Sequence, residues 1–209
     1  MKRSGKRRPE LVILFCFLSC ISSAQAKSGI ENYNLLSRQE EYVWMPVLHY
    51  QTRSGVYAEL RYNYEDINTV SLFGGKTING GKAVQFSITP MVGFSAGTFT
   101  GVSVGLNGEA EWKDFYLSAQ SQYSVGTKQH VADFFFNWSE AGYAISGNFF
   151  GGVAFQYTRQ TGVSDAQPGF VAGFTAGNFS LPVYLFSPFK QGRSFIVGLN
   201  YDFDFKRKR

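Results

Sequence analysis

The stretch FIVGLNYDFDF, from Phe195 to Phe205, separates cleanly into two parities. Phe195, Val197, Leu199, Tyr201, Phe203 and Phe205 form one, and Ile196, Gly198, Asn200, Asp202 and Asp204 the other. A period of two is that of a β-strand, whose successive side chains point to opposite faces. One face here is apolar and aromatic, the other mostly small or polar. The length also fits the ~9 to 11 residues that a tilted strand needs to cross a bilayer.

The same pattern recurs along the chain. Val56, Ala58, Leu60, Tyr62 and Tyr64 oppose Tyr57, Glu59, Arg61 and Asn63. Val84, Phe86, Ile88, Val92 and Phe94 oppose Gln85, Ser87, Thr89, Met91 and Gly93. Val102, Val104 and Leu106 oppose Ser103, Gly105, Asn107, Glu109 and Glu111, and Phe115, Leu117, Ala119, Tyr123 and Val125 oppose Tyr116, Ser118, Gln120, Gln122 and Ser124. A soluble sandwich would also alternate, but its solvated face recruits Lys and Glu freely. Here the polar parity is mainly Gly, Ser, Thr, Asn and Gln with a few carboxylates, which is the composition of a barrel lumen. Aromatic residues gather on the apolar parity near strand ends (Tyr62, Tyr64, Trp112, Phe115, Trp138, Tyr201, Phe203, Phe205), as interfacial girdles require. The expected fold is all-β: a transmembrane up-and-down antiparallel β-barrel, closed because backbone groups in hydrocarbon have no water to bond.

Composition agrees, with 23 Gly, 21 Phe and 12 Tyr in 209 residues and only 17% charged. Residues 1–26 read as a cleaved signal peptide. Lys2, Arg3, Lys6, Arg7 and Arg8 precede the apolar run Leu11 to Ile21, and Ala24-Gln25-Ala26 offers the cleavage pattern. A lipoprotein start at Cys20 is the lesser alternative, since Phe17-Leu18-Ser19 approaches it poorly. Cys16 and Cys20 both lie in this segment, so residues 27–209, the barrel domain, carry neither disulfide nor thiolate metal site. Removing residues 1–26 reduces the formal charge from +5 to +1, and the remaining excess sits in Lys206 to Arg209. Without that tail the body is acidic at −3, which excludes a basic nucleic-acid surface.

Turn signals give strands at about residues 42–52, 56–65, 69–78, 83–94, 101–111, 115–124, 131–138, 146–158, 168–177, 179–187 and 194–205. Single-chain bacterial barrels have even strand counts and periplasmic termini. A further strand is therefore expected within Ile30 to Ser37, giving twelve, with ten as the alternative count. Lys27 to Gln39 could otherwise be a frayed end or a lumenal plug. With Phe205 periplasmic, Ser95 to Thr100, Gly126 to His130, Gln160 to Pro168 and Ser187 to Ser194 fall outside the cell.

Arg61 to Asp66 (RYNYED), Trp138-Ser139-Glu140 and Tyr184 to Pro188 (YLFSP) together resemble a family of small bacterial outer-membrane β-barrel proteins. The aromatic end of the last strand also resembles the C-terminal signal read by barrel-assembly machinery, although Lys206 to Arg209 follow Phe205 here. The resemblance implies the cell outer membrane as location and supplies no catalytic assignment.

The residues expected to line the lumen are Glu59, Arg61, Asn63, Glu109, Glu111, Gln120, Gln122, Asp133, Asn200 and Asp202. They would either bias a pore toward cations or fill a narrow interior as a paired hydrogen-bond network. No catalytic, metal or cofactor residues are assigned. His49 and His130 are the two histidines, and neither has a Gly-x-Ser-x-Gly elbow or metal spacing beside it. The Gly pairs 74–75, 80–81 and 151–152 read as turns, bulges and lumenal gaps. The expectation is a monomeric barrel in the lipid bilayer, either a narrow passive pore or a structural component. A membrane-embedded lipid-modifying enzyme, or a surface binder acting through 160–168 and 187–194, is the alternative.

Overall fold

The computed structural model describes residues 27–37 and 41–204. Residues 1–26, Phe205 and the basic tail lie outside the described residues. All regular elements described are strands, namely β1 (Lys27–Ser37), β2 (Val43–Gln51), β3 (Val56–Tyr62), β4 (Val70–Lys76), β5 (Ile78–Gly81), β6 (Gln85–Ala96), β7 (Gly101–Trp112), β8 (Phe115–Gly126), β9 (Phe134–Ser146), β10 (Phe149–Gln160), β11 (Val163–Ala176), β12 (Phe179–Phe186) and β13 (Ser194–Asp204). Both β4 and β5 pair with β6, so they are successive halves of one wall strand interrupted at Thr77. β1 pairs along its length with β2 and with β13. The ring thus closes as twelve antiparallel strands, each beside its sequence neighbours. The twelfth strand expected within Ile30 to Ser37 is β1, a wall strand and not a plug.

Closure leaves no open sheet edge, and the face turned outward is apolar: Val92 is 64% exposed and Val104 58%. Water does not tolerate such a continuous greasy surface, whereas acyl chains do. A girdle rings the periplasmic side of this band, with Trp112 stacked on Phe115, then Phe115 on Tyr143, Phe149 on Phe174, and Tyr201 between Phe179 and Phe203. Trp44–Tyr62 and Phe135–Tyr157 belong to the opposite rim. The chain is an integral outer-membrane β-barrel.

Two expectations are corrected. Gln160 to Pro168 is not a long surface loop. It collapses to a two-residue turn, Thr161 (φ 47°) and Gly162 (φ 82°), in which both positive angles match the twist of the flanking strands. Strand β11 already begins at Val163. Its first outward residues, Ser164 and Ala166, carry no apolar signal because the strand there rises beyond the hydrocarbon.

The second correction concerns parity. Tyr64 and Trp138, expected in the girdles, lie inside the barrel, where Tyr64 meets Phe136 and Trp138 meets Tyr184 and Phe186. β9 reverses the usual pattern, turning Phe134, Phe136 and Trp138 inward and Asn137 and Ser139 outward. The outward polar groups satisfy one another: Asn137 Nδ2 donates to Ser121 Oγ (2.9 Å) and to the Gln120 carbonyl (3.2 Å), and Ser139 Oγ donates to Asn137 Oδ1 (2.7 Å). Asn137→Ala strands Ser139 without its acceptor in hydrocarbon. A loss of about 1 kcal/mol is expected in urea titration of the folded barrel in vesicles.

Candidate functional site

The lumen is built around Arg61 on the inner face of β3. Its side chain is fully buried and forms ion pairs with Glu59 and with Glu65 (3.1 Å), while Nη1 also donates to Gln122 Oε1 at 2.8 Å. The guanidinium carbon lies 4.3 Å from the Phe73 ring centroid and 4.6 Å from that of Tyr64. Stacking of this kind suits a planar, weakly hydrated cation in a place where an ammonium would suffer. Tyr57 donates to Glu59, and Ser71 donates to the second Glu65 oxygen.

Glu65 and Tyr64 come from the β3–β4 connection, which folds into the barrel mouth. Asn63 and Asn68, both at φ 56°, turn the chain at each end of the loop. The Asn63 amide donates to the Thr69 carbonyl (2.9 Å), and its side-chain oxygen accepts from the Asn68 amide (2.7 Å). Tyr64 then reaches across to donate to Gln120 Oε1 at 2.5 Å. Burial raises the Tyr64 phenol above its ordinary pKa, so it stays a neutral donor. Sequence reading missed Glu65 because RYNYED continues the strand alternation past the true end of β3. The signal that could have found it is the pair of asparagines, the residue type that best tolerates left-handed backbone after glycine.

Nearer the periplasmic end, His49 sits between two carboxylates, with Nδ1 3.4 Å from Glu31 and Nε2 3.8 Å from Asp202. Its ring lies over Gly29, where any side chain would collide with the imidazole. Tyr33 donates to the other Glu31 oxygen at 2.8 Å. Glu109 and Glu111 also point inward from the periplasmic end of β7 and both are exposed, so the lumen is wet at that mouth, whereas Thr89, Met91, Ser103, Gln122 and Ser124 farther along β6 to β8 are buried. Ser87 donates to Glu109 at 3.2 Å.

Against these groups stands an aromatic wall. Tyr184, Phe186, Ala154, Val171 and Ile196 are buried together, with Tyr33, Leu35, Trp138 and Phe150 packed on them. A core of this kind inside the ring narrows the bore on the β9–β13 side. Gly142 leaves room for the Tyr116 ring, which a Cβ there would strike.

Of the residues expected in the lumen, the structure joins Glu59, Arg61 and Gln122 in one network and places Gln120, on β8, where it accepts from Tyr64 of the inward loop. Asn200 and Asp202 share the inner face of β13. Asn63 is a loop hinge, and its Nδ2 donates to the Trp44 carbonyl at 3.0 Å. Asp133 lies in the β8–β9 connection, exposed, accepting from the Gly126 amide at 2.9 Å. His130 occupies the same connection. Among the described residues no group of three His, Cys, Asp or Glu side chains is arranged to hold a metal ion.

No protein-family model and no curated protein sequence matches the chain. Its structure is similar to that of the KdgM porin, with a TM-score of 0.63 at 14% identity over 84% of this chain and 99% of that one. It is also similar to the NanC porin, with a TM-score of 0.58 at 11% identity over 82% of this chain and 98% of that one. A second KdgM porin structure is a complex with disordered oligogalacturonate. At these identities the likeness is one of fold.

Proposed function

We propose that this barrel is a narrow passive pore of the outer membrane that favours cations and uncharged solutes over anions. The observation that carries this reading is the charge balance of the inner face. Glu31, Glu59, Glu109, Glu111, Glu140 and Asp202 look inward, and the guanidinium that faces them, Arg61, is already enclosed by Glu59 and Glu65. A channel lined by one sign of charge with low-dielectric walls concentrates the opposite ion. The exposure of Glu109 and Glu111 at the periplasmic mouth gives cations a place to gather at the entrance.

Both ring nitrogens of His49 face carboxylates, an arrangement suited to holding strands β1, β2 and β13 together and not to activating a hydroxyl. This supports a non-enzymatic reading. Because β1 pairs with β13, one chain completes the wall and the pore needs no second copy to close it.

Planar-bilayer recording tests the proposal. Stepwise currents are expected, with a reversal potential in a KCl gradient that marks cation preference. Glu109→Gln combined with Glu111→Gln should move that potential toward zero and leave folding intact, since both groups are solvated. Silent bilayers from protein shown folded by heat-modifiable migration, or a potential unmoved by the double substitution, would refute it.

A further inference from the structure

Two cavities open at the extracellular half of the lumen, and Tyr64 and Phe136 line both. The larger, about 280 Å³, is bounded also by Phe99, Phe134, Gln122, Thr158 and Gln160 beside the loop residues Glu65 and Asp66. The smaller, about 160 Å³, has Trp138, Leu35, Met45 and Ile196 on its apolar side and Gln156, Gln167, Ser37 and Ser194 on its polar side. Phe136 meets the edge of Tyr64 at 5.9 Å, so a thin aromatic partition separates the two spaces.

The lining is mostly uncharged, and the exposed Asp66 beside the larger cavity accepts from the Ile67 amide. Four glutamines, a threonine and two serines stand among aromatic rings. The carboxylate nearest the floor, Glu65, is consumed by Arg61, Gln122 and Ser71. Primary amides offer donors and acceptors in equal measure and favour neither sign of charge. Apolar walls carrying a few orienting polar groups are the usual constitution of a small-molecule site. No lysine or arginine lines either cavity, so neither offers a cation to a carboxylated solute.

We infer that this vestibule is a binding subsite for uncharged, polyhydroxylated rings, one in each cavity: the larger offers Phe136 to a C–H face and Thr158 and Gln160 to the hydroxyls, the smaller Trp138 to the face and Gln156 and Gln167 to the hydroxyls. The inference rests on the pore reading for its purpose but not for its test. It also sets this chain's chemistry apart from any site that selects acidic sugars by charge.

Equilibrium binding to the folded, detergent-solubilised barrel is the experiment, read through the emission of Trp138. Trp44→Phe and Trp112→Phe remove the other two indoles, both on the outward face. Maltohexaose is the neutral probe, and an oligogalacturonate of similar length the acidic one. Saturable change with maltohexaose alone is expected, weakened about tenfold by Phe136→Ala. Gln160→Ala, at the rim, should weaken binding without disturbing assembly, and heat-modifiable migration confirms that each variant is folded. A flat maltohexaose titration, equal response to the acidic oligomer, or a response indifferent to both substitutions overturns the inference. Conductance without binding would remove the subsite and leave the pore, and binding with silent bilayers would do the reverse.

Discussion

Arg61→Ala is expected to cost about 3 to 5 kcal/mol, the loss that follows when one partner of a buried ion pair is removed and its counter-charges stay buried. Glu59 and Glu65 would face one another across the space the guanidinium vacates, with Tyr57, Ser71 and Gln122 as their remaining donors. Tyr64 and Phe73 would lose the guanidinium between them. The β3–β4 loop would then leave the mouth, because Glu65 is the tie that holds it. A urea titration of folded protein in vesicles measures the first effect, and a larger, noisier single-channel current reports the second. The triple variant Arg61→Met, Glu59→Gln, Glu65→Gln separates charge from volume: it should recover most of the stability. If Arg61→Ala alone unfolds at the wild-type midpoint, the network is ornamental and the account of the loop fails.

Trp138→Ala should produce the second large change, about 3 kcal/mol of stability, the lower end of the usual range for truncating a buried aromatic because the indole is only partly buried. The indole packs on Tyr33 at 5.6 Å, Tyr184 at 5.0 Å and Phe186 at 5.6 Å, so it is the common neighbour of the rings that narrow the bore. Its loss should raise unitary conductance while leaving cation preference in place, since the acidic groups are untouched. Phe155→Ala, on the outward face of β10, is the control that removes an aromatic side chain from the lipid side and should leave the current unchanged. An unchanged conductance in Trp138→Ala would mean that ions pass elsewhere, along the acidic side of β6 to β8.

Much of the wall was legible because a bilayer imposes a strict rule on one face. Wherever a strand crosses hydrocarbon with its small or polar residues inward, the alternation announces both its presence and its direction, as in Val102 to Glu111 and Phe195 to Asp204. The rule fails where its cause is absent. Beyond the hydrocarbon the outward face of β11 is Ser164 and Ala166, so a strand passes for a loop. Within β9 the polar residues Asn137 and Ser139 face lipid after bonding to each other and to Ser121, and the aromatic residues turn inward, so Trp138 passes for a girdle residue.

By itself the sequence determined the all-β class, the twelve-strand count and which parity of most strands holds the carboxylates, because period-two burial is a local property of each strand. Only the tertiary structure decided what those carboxylates meet. Glu65 pairs with Arg61 because the β3–β4 loop folds back into the mouth, and His49 with Glu31 because of the register between β1 and β2. Trp138 meets Phe186 from β9 to β12, a contact that strand periodicity does not encode because it follows from the curvature and closure of the ring.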